Sequence, residues 1–212
     1  MQTLLKSTGA YKLLKNEGKS EGFSHAYLLL FDDARNLRTA LKTFAKLFFG
    51  CENEYTEKEQ RISYLIDSEC FSDCLCFPSD PEKKLLVEDA EKILEESTLA
   101  PVEGDKKVFL LGDFSTANVQ TQNKLLKLLE EPPKEVIFLL GATTSFSVLP
   151  TVLSRTKKLE ILSFDLPSVT EYLRRAYGDK YDDNTLELCA ATANGNVGDA
   201  CSILDAGYYK TL

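Results

Sequence analysis

Arg155, in the run Ser154-Arg155-Thr156, has a side chain suited to phosphoryl chemistry. Its planar guanidinium stays charged and donates several hydrogen bonds in fixed directions. Taken alone, Arg155 reads as an ordinary surface arginine. Arg38, at the end of the turn Phe31 to Arg38, is a second group able to attract an anion, but Asp32 and Asp33 add negative charge to the same turn. Asp113 follows the apolar run Val108 to Leu111 and reads first as a strand-end turn residue. Cys51, Cys70, Cys74 and Cys76 raise the question of zinc, which in a structural site needs four ligands converging tetrahedrally. Cys74 and Cys76 alternate within a stretch that reads as a strand, so they share one sheet face and do not wrap a metal. Reduced structural thiols are the better reading. His25, the single histidine, stands at a strand entry and reads as a hydrogen-bonded structural residue.

These residues need a frame. Ala26 to Phe31, Val108 to Leu111 and Val136 to Leu140 are short apolar runs, the pattern of strands buried on both faces of a parallel sheet. A last strand is expected over Lys158 to Ile161. Helices are expected over Leu4 to Leu14, Arg38 to Phe49, Lys84 to Ser97 and Thr116 to Glu131, with Ser147 to Ser154 interrupted near its start by Pro150. In the first, Leu4, Leu5, Tyr11 and Leu14 face inward; in the third, Leu86, Val87, Ala90, Ile93 and Leu94 do. Glu17 to Ser24 reads as a polar connection, and Cys51 to Ser72 as irregular apart from Ile62 to Ile66. From Asp165 the chain turns to short helices: Val169 to Tyr177, Asn184 to Ala193 and Val197 to Leu204.

One local rule is broken. Glu130 and Glu131 place carboxylates at the negative end of a helix dipole, which costs about 0.3–1 kcal/mol per charge. Pro132 and Pro133 then stop the helix.

The 212 residues suffice for one sizeable α/β domain and a small appendage. A net charge of −8 argues against general phosphate binding by the surface, and no Lys/Arg stripe with interleaved aromatics appears. There is no signal-peptide pattern and no run long enough to span a membrane, so the chain is expected to be cytoplasmic with no membrane partner.

The helix ending Leu125-Leu126-Lys127-Leu128-Leu129-Glu130-Glu131-Pro132-Pro133, the strand directly behind it, and Ser154-Arg155-Thr156 before a last strand together resemble the bacterial clamp-loader subunits of the AAA+ superfamily. Thr156 stands in the Cys place of their Ser-Arg-Cys motif. The resemblance covers nearly the whole chain, from His25 to about Leu204. It implies an α/β domain, residues 1–164, with a central parallel sheet flanked by helices, followed by a small all-helical lid, residues 165–212. It also implies a further helical collar domain, absent after Leu212, so the chain is expected to be a fragment holding the first two domains.

Against that family's ATP site, this sequence shows three losses. The phosphate-loop glycine positions hold Phe31, Ala34 and Asn36, and the Lys and Thr positions hold Leu37 and Arg38. The magnesium-binding acid is Gly112, with the catalytic Glu shortened to Asp113. The lid arginine position holds Gly198. Thr143 and Thr144 fall where the family senses phosphate, and read as loop hydroxyls. Family members often carry a zinc module after the second helix, but the spacing of Cys51, Cys70, Cys74 and Cys76 departs from it. No cofactor is therefore expected.

The combination resembles the delta-prime, non-ATPase branch of the family. By that resemblance Arg155, with Ser154, would reach the ATP of an adjacent gamma or tau subunit, the other partners being delta and the sliding clamp. Primed DNA would be met only as part of the complex, and the chain would be no enzyme by itself. The alternatives are a gamma/tau-type subunit that binds nucleotide, or turns it over weakly, through Arg38, and an adaptor that binds clamp or DNA.

Overall fold

The computed structural model describes residues 1–20 and 22–208; position 21, within the expected polar connection, and positions 209–212, at the end of the expected lid, lie outside the described residues. Five parallel strands form one sheet in the order β2-β3-β4-β1-β5. They are β1 (Ala26–Leu30), β2 (Cys74–Phe77), β3 (Lys107–Asp113), β4 (Val136–Ala142) and β5 (Lys157–Glu160). The apolar runs follow from burial on both faces. Tyr27, Leu29, Val108, Leu110, Ile137 and Leu139 join one core cluster, whereas Leu28, Leu30, Phe109, Leu111, Phe138 and Leu140 join the other. Successive side chains point to opposite faces, so a strand covered on both sides has no polar position to offer.

The first face is covered by α1 (Gln2–Ser7), α2 (Gly9–Ser20), α3 (Leu37–Phe48) and α4 (Glu57–Asp67). The second is covered by α5 (Val87–Ser97), α6 (Val119–Glu130) and α7 (Pro150–Leu153). A third apolar cluster lies among α8 (Leu166–Tyr177), α9 (Asp183–Thr192) and α10 (Val197–Asp205), with Met1, Leu4 and Phe164 packed against it. Asp165, Asp182 and Asn196 cap these last helices through their side-chain oxygens. No helix among the described residues is long and apolar enough to cross a membrane.

Several elements differ from expectation for local reasons. The first helix is two, because Thr8 is extended and its hydroxyl caps the second by accepting from Tyr11 N. The second then runs on to Ser20, through half of the expected connection. Leu4 turns toward the last helices while Leu5 enters the sheet core. The polar stretch Glu57–Asp67 is a helix, started by the Thr56 cap with Glu57 and Glu59 in its first turn. The helix expected from Lys84 begins at Val87, which leaves Leu86 exposed and Leu85 buried. Pro150 begins α7 at a position that needs no N–H donor; it does not interrupt the helix.

Candidate functional site: the turn after β1 and the Arg155 hollow

The carboxyl ends of β1, β3 and β4 are where an open parallel sheet places ligands. Here they hold the protein's own groups. Phe31 is buried and its ring meets that of Phe164 edge-on, with centroids 6.2 Å apart. Asp33 is fully buried. Its Oδ1 accepts from Asn36 N at 3.0 Å, while its Oδ2 accepts from Asn36 Nδ2 at 2.7 Å and from Gly198 N at 2.8 Å. A carboxylate thus sits between the entrance of α3 and that of α10, where helix N-termini favour negative charge. Gly198, the expected lid-arginine position, leaves room for it: a Cβ there would lie 2.1 Å from Asp33 Oδ1. Asn196 Nδ2 donates to Asp32 O at 3.3 Å and Arg35 pairs with Asp205 at 2.7 Å, extending the same contact. Partial burial, and then the Asp33 charge, push the Asp32 carboxyl above its usual range.

The remaining phosphate-loop positions are also occupied structurally. Ala34 is exposed, and Leu37 is buried, its Cδ1 within 3.1 Å of where a Cβ on Gly141 would stand. Arg38 does not face the turn as a free cation. Its Nε and Nη2 grip both oxygens of Glu69, and Nη1 donates to Pro78 O at 2.9 Å. The guanidinium that would attract an anion is thus already engaged by Glu69 and Pro78 O. That carboxyl is held below its usual range, chiefly by the Arg38 hydrogen bonds and less by Lys42, with burial opposing. A carboxyl depressed on folding stabilises the fold above its unfolded value, near 4.5, and that contribution is lost as the pH falls through the lower folded value. Glu69→Gln should therefore flatten the acid limb of the stability curve below about pH 4.5, as measured by urea unfolding across the acid range; an unchanged limb would contradict the pairing.

At the end of β3, Gly112 is an extra residue in the ladder: Leu111 pairs with Leu140 and Asp113 with Gly141. Asp113 accepts from Ser115 N and Ser115 Oγ, from Thr143 N at 3.2 Å and from Thr143 Oγ1 at 2.9 Å. It caps a single 3-10 turn, Phe114–Thr116, and ties β3 to β4, which is the turn role its position suggested. Thr143 is the loop hydroxyl in that tie, and Thr144 Oγ1 accepts from Phe146 N at 3.3 Å.

The thiols are placed by packing. Cys74 and Cys76 both contribute to one sheet face, Cys51 is buried behind α3, and Cys70 is exposed. Burial raises the Cys51 and Cys76 thiols to about 12 and lifts Cys74 well above its ordinary value, which opposes the thiolate a metal needs. Among the described residues, no group of three or more His, Cys, Asp or Glu side chains is placed to hold a metal ion.

Arg155 lies elsewhere, beside His25 at the amino end of β1, just after α7. Its Nη1 donates to Thr151 O at 2.7 Å and to Ser154 Oγ at 3.3 Å, and its Nη2 forms an ion pair with Glu130. His25, Leu129, Glu130, Ser154 and Arg155 line an open surface hollow. His25 is structural there: its Nε2, in the tautomer that carries the proton on that atom, donates to Leu129 O at 3.1 Å. The two sequence motifs, the helix ending in Glu-Glu-Pro-Pro and the Ser-Arg-Thr run, therefore meet at one place. The misplaced charge at the end of α6 has its cation in Arg155, and that broken rule was the available signal. Gln122 carried no comparable signal. Its buried amide donates to Ala117 O and Ser147 O and accepts from Leu149 N, fixing the loop that leads to Arg155.

Comparison with known proteins fits this geometry. A family model described as DNA polymerase III, delta subunit, matches residues 6–165. The chain belongs to the clamp-loader family of DNA polymerase III. The tau subunit of Escherichia coli is 31% identical over 129 residues, covering 59% of this chain and 20% of that protein. The tau subunit of Bacillus subtilis is 27% identical over 200 residues, covering 92% of this chain and 35% of that protein. The clamp-loader chain thus spans at most about a third of the length of these two relatives. Among solved structures, a gamma subunit-related protein of Thermotoga maritima aligns with TM-score 0.59 and 20% identity, over 88% of this chain and 58% of its own. The RuvB branch-migration motor of Thermotoga maritima aligns with TM-score 0.57 and 18% identity, over 96% of this chain and 60% of its own. Those two likenesses show the fold: an AAA+-like parallel sheet flanked by helices, with a helical region after it.

Proposed function

We propose that this chain serves in DNA replication as a delta-prime-type clamp-loader subunit that does not hydrolyse ATP itself. The observation that carries the reading is the Asp33 carboxylate, which fills the space between α3 and α10 that a nucleotide phosphate would need. In this reading residues 1–164 form a body with a degenerate phosphate loop and residues 165–212 a lid latched onto it. The body acts as a stator. Arg155, oriented by Ser154, faces the ATP of a neighbouring gamma- or tau-type subunit, where a guanidinium stabilises charge developing on the transferred phosphoryl group. Delta-type subunits and the sliding clamp are the other partners, with primed DNA met through the assembly.

The test is Arg155→Ala in a loader reconstituted with ATP-hydrolysing subunits. ATP turnover should fall while the melting temperature of the variant chain stays unchanged. Equal turnover would end the finger role.

The two relatives named tau favour a second reading, a gamma/tau-type subunit, which in this reading would bind nucleotide in its own site. Calorimetric titration with Mg-ATP to millimolar concentration separates the two. The stator reading expects no heat of binding, and clear saturation would favour the gamma/tau-type reading.

A further inference from the structure

We propose that Glu130 is the resident counter-ion of Arg155, a positioning residue that a phosphoryl group must displace before the guanidinium can act. The inference rests on the reading of Arg155 as an arginine that meets a phosphoryl anion.

Three observations lead to it. The Arg155 guanidinium is held from two directions: Nη1 by Thr151 O and Ser154 Oγ, and Nη2 by Glu130. The first hold comes from Thr151 in α7 and from its C-cap Ser154, just before the arginine, and fixes where the arginine stands. The second comes from a different element and neutralises it. Glu130 is also the last residue of α6, where the exposed carbonyls of the helix end repel a carboxylate. Such a group is poorly stabilised by its own helix and depends on the arginine for compensation. Finally, the pair is reachable, with the Arg155 side chain 31% and the Glu130 side chain 46% exposed, on a surface hollow lined otherwise by His25, Leu129 and Ser154.

An ion pair this open is weak and is exchanged without first breaking a buried network. A phosphoryl group has more charge than a carboxylate and more oxygens to offer the guanidinium fork. It therefore wins Nη2 when a neighbour presents it at the right place, while Thr151 and Ser154 keep the guanidinium aimed. Stray anions of lower charge do not. Glu130 in this scheme touches no substrate; it sets how strongly an anion must compete.

The experiment follows the Arg155 Nε–H resonance in the nitrogen-labelled chain during titration with inorganic pyrophosphate at fixed ionic strength. Glu130→Gln keeps the shape and removes the charge, and should lower the pyrophosphate dissociation constant about threefold. Glu131→Gln makes the same change in net charge one residue along and should leave the constant near the parent value. The tightening should vanish in the double variant Glu130→Gln/Arg155→Gln, followed there through the surrounding backbone amides. No tightening in Glu130→Gln, or equal tightening in Glu131→Gln, would overturn the proposal. Because this readout needs no assembly, it stands apart from the turnover test. An inert Arg155→Ala in the loader would remove the finger reading, while the titration would still decide whether Glu130 competes for the guanidinium.

Discussion

Gly198→Ala should destabilise the chain by about 3 kcal/mol and release α10 from the body. A Cβ at this position would stand 2.1 Å from Asp33 Oδ1 and 3.0 Å from Arg35 Cβ, so either the helix or the carboxylate must move. Moving the carboxylate gives up bonds from Asn36 N, Asn36 Nδ2 and Gly198 N. Asp33→Ala should cost about 2 kcal/mol by itself, because it leaves the same donors without their acceptor in a closed site. The two changes should not add. With Asp33 shortened, the nearest obstacle to a Cβ on residue 198 is gone, so the double variant should be roughly 2 kcal/mol more stable than the sum of the single effects requires. Urea unfolding gives the energies. Hydrogen exchange gives the location: protection should fall over Val197–Asp205 well before it falls in β1, β3 or β4. Additive energies, or equal loss of protection in the sheet, would mean that the contact does not hold the last helices.

That latch also marks where sequence reading stops. The departures from the family's phosphate-loop pattern were legible, since each is a residue of another type at a position defined by a motif. What occupies that turn was not, because the Asp33–Gly198 bond joins residues 165 apart, and the helical period that contains Gly198 says nothing of a partner in the turn after β1. Leu37 could be seen as a missing lysine, but its burial beside Gly141 depends on how α3 lies on the sheet. The strands were readable for the opposite reason. Burial on both faces forces apolar residues at every position of Ala26–Leu30, and nothing distant is needed to see it. Helix Glu57–Asp67 escaped because its first turns are polar and few of its residues are buried, Ile62, Ser63 and Ile66 among them. The break between the first two helices had a local sign, Thr8 before Gly9, that a periodicity count passes over. Near Arg155 the available sign was energetic and went unused: a carboxylate where a helix disfavours one calls for a cation, and Arg155 supplies it.

Gln122→Leu should cost about 3 kcal/mol although it keeps nearly the same volume. Gln122 is 1% exposed, and its amide makes three bonds: Nε2 to Ala117 O at 3.0 Å and to Ser147 O at 2.9 Å, and Oε1 from Leu149 N at 2.9 Å. A leucine would leave two carbonyls and one N–H without their partner, Ala117 O in a buried place and Ser147 O and Leu149 N in part-buried ones, and such a network loses more than the sum of its parts. The position matters as much as the energy. Leu149 is the N-cap of α7, and α7 ends where Ser154 and Arg155 begin, so the amide fixes the start of the element that aims the guanidinium. The variant should therefore lower the unfolding free energy and also broaden the Arg155 side-chain resonance under conditions where the chain is still folded. In a reconstituted loader it should reduce ATP turnover in the same direction as Arg155→Ala, and less completely. A destabilised chain with an unperturbed Arg155 resonance would mean that Gln122 supports the core alone and that α7 is aimed by other contacts.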